Sequence, residues 1–255
     1  MRACALILCL FTSPALAAEL CAEWPYDAAD PRLEDLVDAF HNIDDALPEL
    51  TRAAHSTKPD LCLTTGASEA LGTYDRDTSA IALHDTLSPA QTKAILLHEL
   101  RHLDQAWRGA CLSPGLSMHE SARAVFALEA DAMAIAHLAA WTLAQKGQTG
   151  PLDALKHMPQ TADIAAAFQG KLDRGGTPSD ATAAAFSAWY RSDTRREIYY
   201  LASCEAYLST LEESKQLPSY DRLDDDFLGG ICRLPDGAAY DCAEPAHALP
   251  RGEGD

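Results

Sequence analysis

The stretch Ser88-Pro89-Ala90-Gln91-Thr92-Lys93-Ala94-Ile95-Leu96-Leu97-His98-Glu99-Leu100-Arg101-His102 decides how this chain is read. Ser88 is a good helix N-cap and Pro89 suits the first helical position, so a helix starts here. Ala94, Ile95, Leu97 and Leu100 continue it to about Trp107, before Gly109. With about 3.6 residues per turn, His98 and His102 lie one turn apart on one face, and both imidazoles can reach one metal ion. Glu99 points about 100 degrees round from His98 and stays outside that contact. Water on zinc has its pKa lowered from about 15.7 to roughly 7, and Glu99 is offset so that it can take the proton. The bland alternative is a charge cluster on a surface helix, with an ion pair worth about a few tenths of a kcal/mol. Ile95, Leu96 and Leu97 argue against it, because they ask for burial.

A catalytic zinc takes three protein ligands and keeps a position for water. A third histidine at the usual downstream spacing would need Gly at 105 and His at 108, where this chain has Gln105 and Arg108. The other solution is a carboxylate on a later helix. Ser113-Pro114-Gly115 ends a loop, and a long helix is expected from about Ser117 to Lys146, alanine-rich on every side and so buried against several neighbours. It carries Leu128-Glu129-Ala130-Asp131-Ala132. Glu129 shares its stripe with Ala122, Val125, Ala132, Met133 and Ala136. The stripe of Asp131, with Ala124, Ala127, Leu128, Ala134, Ile135 and Leu138, is just as apolar. A carboxylate in either setting must pair, bind metal or accept a proton. Spacing does not rank the two. Glu129 is taken as the third ligand for its longer reach, and Asp131 as the group that holds a ligand histidine's free N–H. His84, His119 and His137 recur at no ligand spacing and are read as ordinary histidines. Tyr199 or Tyr200 could stabilise an oxyanion, though core packing is the simpler role for both, as for Trp189, Tyr190 and Tyr207. Glu120 is read as helix-start electrostatics, within reach of Arg123.

From about Gly72 to Ala136 the chain resembles zincin metallopeptidases of the gluzincin type, and in particular secreted bacterial metallopeptidase-like proteins in which HELRH precedes an E-A-D-A helix. Tyr74 to His84, His98 to His102 and Glu129 to Asp131 match the clan's order of edge strand, HExxH helix and glutamate helix. The resemblance implies that His98, His102 and Glu129 bind zinc, that Glu99 is general base and then acid, that Ala80 to Leu83 forms the substrate-binding edge strand, and that peptides or proteins are the substrates. One departure is Met133, where thermolysin-like members usually carry a second acidic residue. The alternative function is a non-catalytic secreted helical binding or adaptor protein with a structural or vestigial zinc.

The ends set the compartment. Arg2, the apolar stretch Ala3 to Phe11 and Ala15-Leu16-Ala17 read as a signal peptide cleaved after Ala17, which places the protein in the periplasm or outside the cell. The residues before Cys21 do not form a lipoprotein box, and no later segment is read as a membrane span of about 20 residues, so no membrane anchor is expected. The net charge of −18 leaves no basic footprint for nucleic acid or anionic lipid. Cys21, Cys62, Cys111, Cys204, Cys232 and Cys242 remain after cleavage and allow up to three disulfides. Only Cys232 and Cys242 are close enough to suggest a local loop, closed by the turn Pro235-Asp236-Gly237.

The expected fold is α+β and mostly helical: residues 18–216 form one zincin-like domain, and residues 217–255 an irregular, disulfide-pinned tail that could cover the groove. Leu33, Leu36, Val37, Phe40 and Ile43 predict an amphipathic helix from about Asp30 to Arg52, and Cys62 to His84 predicts paired strands ahead of the HELRH helix. Further helices are expected from Leu152 to about Leu172, Pro178 to Tyr190 and Asp193 to Lys215.

Overall fold

The HELRH helix packs both against a small sheet and against several helices. The computed structural model describes residues 18–27, 30–65, 70–110, 112–246 and 248–249; the expected signal peptide and Cys111 fall outside them. The fold is α+β and mostly helical.

Four strands, β1 (Ala18–Ala22), β2 (Asp60–Thr64), β3 (Gly72–Asp75) and β4 (Ala80–His84), form one sheet in the order β1-β2-β4-β3. β1 runs antiparallel to β2, β2 parallel to β4, and β3 antiparallel to β4. Alternation buries Ile81 and Leu83 on one face of β4 and leaves Ala80, Ala82 and His84 half-exposed. Cys21 and Cys62 are register partners on β1 and β2 and form a disulfide. β4 is therefore an interior strand. The expected edge role of Ala80 to Leu83 belongs instead to β3, because the parallel β2–β4 pairing covers the other side of β4, a crossover no local pattern announces.

After a short 3-10 turn at Pro31–Leu33, α1 (Glu34–Ala46) and α2 (Pro48–Thr57) replace the single expected helix. Pro48 lacks an N–H and disfavours helical geometry at Leu47, whose φ is −139°, so the chain restarts there. The HELRH helix is α3 (Pro89–Trp107). Ser88 and Gln91 form a reciprocal capping box at its start, and Gly109, at φ +84°, turns the chain away after its end. α4 (Met118–Gln145), capped by Ser117, packs along α3, and its alanines are almost all buried, which lets neighbours approach closely. It is long and apolar enough to cross a membrane, contrary to the expectation that no later segment is, but 89% of its apolar 18-residue stretch is buried inside the fold, as befits a core helix.

α5 (Gly150–His157) and α6 (Ala162–Asp173) again split an expected helix, at Met158-Pro159, where proline removes a donor. α7 (Pro178–Trp189) and α8 (Asp193–Ser214) fall where expected. The remainder is irregular apart from α9 (Phe227–Ile231). It does not dangle. Asp221 exchanges backbone hydrogen bonds with Gly115 and Ser117, and Ile231, Cys232 and Tyr240 are buried in the core. Cys232 and Cys242 form the expected disulfide, around a turn in which Gly237 has φ +90°. Cys204 is half-buried beside Tyr200 and forms no disulfide among the described residues.

Candidate metal centre

Helical periodicity puts His98 and His102 on the side of α3 that faces α4, and Glu129 of α4 meets them there. The Nε2 atoms of the two histidines are 3.0 Å apart. His98 Nε2 is 3.5 Å from Glu129 Oε2, and His102 Nε2 is 3.4 Å from Glu129 Oε1. All three residues are buried. Two nitrogens and a carboxylate in van der Waals proximity are a poor hydrogen-bonding set, since imidazole nitrogens facing each other need a shared proton or a cation between them. They are a good zinc set: donors at about 2.0–2.1 Å from one tetrahedral ion stand roughly 3.3 Å apart. Among the described residues this is the one group of three or more such side chains able to hold a metal ion.

Electrostatics follow the same geometry. Burial alone would lower the pKa of His102, but the Glu129 carboxylate outweighs it and lifts the imidazole to about 9. Burial likewise opposes ionisation of Glu129, and the two histidines outweigh it and hold the carboxyl far below its usual range. Glu129 also accepts a hydrogen bond from the Tyr199 hydroxyl of α8. Tyr199 thus has a polar role at the site as well as its edge-on contact with Trp189.

Glu99 sits beside this group, 4% exposed, and burial raises its pKa above the normal carboxylate value. Its carboxylate accepts the backbone N–H of Tyr74 on β3. The hydrogen bond from His84 N–H to Leu71 C=O sets the ladder, so by alternation Gly72 and Tyr74 turn their backbone groups away from β4. The outer edge of β3 therefore runs beside Glu99. Gly72 permits the approach, because a Cβ there would lie 2.9 Å from Glu99 Oε1 and 2.5 Å from Ile95 Cγ2.

Asp131 does not join the group. Its Oδ2 accepts from Arg101 Nε at 2.7 Å and Gln105 Nε2 at 2.6 Å, and its Oδ1 from Arg101 Nη2 at 3.0 Å and the Tyr240 hydroxyl at 2.8 Å. It touches no histidine. Gln105 intervenes, its Oε1 lying 3.0 Å from His102 Nδ1, so the expected contact is displaced by one residue. Position 105 drew notice in the sequence only as a missing glycine. A buried polar residue one turn beyond a candidate ligand was the signal that could have found it.

The other histidines stay apart from the metal group. His119 is exposed beside Glu120, and His84 ends β4 with Thr86 on its Nδ1. His137 is fully buried, gives its Nδ1 proton to Met133 C=O and is held neutral by burial, with its pKa pushed down to about 4. Glu120 pairs with Arg123 as expected and also accepts the Leu223 N–H, while Arg123 reaches Glu244.

Comparison with family models matches residues 15–242 to the family described as "Putative metallopeptidase family (DUF6782)". The chain belongs to that family. A metal and a peptide-cleaving chemistry are thereby implied, in agreement with the buried His98, His102 and Glu129 group. No curated protein and no solved structure matches the chain.

Proposed function

We propose that this chain is a secreted zinc-dependent metallopeptidase of the gluzincin type, in which His98, His102 and Glu129 are the metal ligands and Glu99 the general base and acid. The observation that carries the reading is the buried cluster of two imidazole nitrogens 3.0 Å apart, one 3.4 Å and the other 3.5 Å from the two oxygens of a single carboxylate. Zinc in that cluster would polarise a scissile carbonyl and make a water acidic enough to lose its proton near neutral pH. Glu99 takes that proton and delivers it to the leaving amine, a task suited to a carboxyl whose pKa is raised by burial. Tyr199 holds Glu129 in orientation through its hydroxyl. A substrate peptide would lie along the outer edge of β3, the last strand of the sheet, beside Glu99. A purely structural zinc would call for four protein ligands, and the group among the described residues has three. Two disulfides suit the periplasm or the exterior.

The test is zinc content and casein or peptide cleavage for wild type and Glu99→Gln. Both should hold one equivalent of zinc, with cleavage by the variant reduced by roughly 10²-fold or more. Equal cleavage by the two proteins would contradict the mechanism, and a wild type that binds no zinc would contradict the site.

A further inference from the structure

Gln105 is 1% exposed and its amide has only one workable orientation. Nε2 donates to Leu128 C=O at 2.9 Å and to Asp131 Oδ2 at 2.6 Å, two groups that can only accept. The atom facing His102 Nδ1 is therefore the amide oxygen, which can only accept as well. His102 Nδ1 must carry a proton, and Nε2 is the ring nitrogen left to offer a lone pair toward His98 and Glu129. Asp131 is fixed in turn by the fork of Arg101 and by Tyr240. Tyr240 belongs to the loop closed by Cys232 and Cys242, and Arg101 donates to the Arg233 carbonyl within that loop and to the Ile231 carbonyl just before it. Hydrogen bonds thus run without a gap from the C-terminal disulfide loop to one imidazole of the candidate metal centre.

We propose that Gln105 is the positioning residue that commits His102 to bind metal through Nε2, and that the C-terminal disulfide loop, through Tyr240 and Asp131, keeps Gln105 in that orientation. The inference rests on the metal-site reading above. It makes the segment beyond residue 217 a brace for the metal centre and gives Asp131 a role one step behind the ligands.

The full chain, with its disulfides formed, is titrated with zinc against a competing chelator, as wild type, Gln105→Met and Tyr240→Phe. Zinc-loaded protein labelled with ¹⁵N-histidine is examined by NMR. Wild type should ligate through His102 Nε2 and show a slowly exchanging Nδ1 proton. Gln105→Met should bind zinc about 10–100-fold more weakly and lose that protection, and Tyr240→Phe should shift both in the same direction by less. Unchanged affinity and unchanged protection in Gln105→Met would overturn the proposal while leaving the metal site intact. Should that variant fail to fold, the wild-type spectrum and Tyr240→Phe decide: ligation through Nδ1, an unprotected Nδ1 proton, or a Tyr240→Phe chain indistinguishable from wild type each contradicts it. A wild type that binds no zinc fails at the metal site itself.

Discussion

Two carboxylates two residues apart on α4, both buried, meet opposite fates. Asp131 receives four donated hydrogen bonds, two of them from the permanently charged Arg101, and nothing in its surroundings asks for another cation. Glu129 faces two imidazoles and a tyrosine hydroxyl, groups whose charge depends on protons or is absent. The contrast shows that burial of an acid does not by itself mark a ligand. What marks it is whether the fold supplies the compensating charge or leaves that to something it binds.

The widest separation between the two should come from removing partners. Arg101→Met strands the Asp131 charge and should destabilise the protein by about 3–5 kcal/mol in urea unfolding. Glu129→Gln in the zinc-free protein should cost less, because His102 can shed its proton whereas arginine cannot. Comparable losses for the two variants would erase the distinction.

A smaller effect is expected where Glu99 meets the sheet. Gly72→Ala places a methyl against Ile95, Leu83 and the Glu99 carboxylate. It should cost about 1–3 kcal/mol through overpacking. By displacing Glu99 it should also lower peptide cleavage by up to roughly 10²-fold with zinc content unchanged. Normal cleavage in this variant would mean that Glu99 does not depend on its seat beside β3.

The most diagnostic effect is on pH dependence. In the zinc-free protein His102 titrates at about 9 against an ordinary value of 6.5. A raised pKa stabilises the fold fully below about pH 6.5 and loses that contribution as pH climbs through 9. Zinc-free wild type should therefore lose stability across this interval in urea titrations, and Glu129→Gln should not. A flat wild-type profile would uncouple His102 from Glu129.

Much of this site was legible in the sequence. Ser88-Pro89 and Gly109 bounded the HELRH helix because capping is local chemistry, and the alanines of α4 announced burial on all sides. The proline breaks at Pro48 and Pro159 are local too, but the apolar period runs on through both and masks them. Other features depend on who meets whom in space. The parallel pairing of β2 with β4 decided which strand became the edge, and Tyr240 reached Asp131 across 109 residues of chain. Glu129 and Asp131 looked equivalent for the same reason: an apolar stripe shows that an acid is buried, and only the facing helix shows what answers its charge.

The most direct measurement is the zinc content of the purified full chain after dialysis, for wild type, Glu129→Gln and Asp131→Asn. One equivalent in wild type, retention in whatever Asp131→Asn remains folded, and loss in Glu129→Gln are the expected results. Zinc retained by Glu129→Gln and lost from folded Asp131→Asn would contradict the assignment of the third ligand and the comparison built on it.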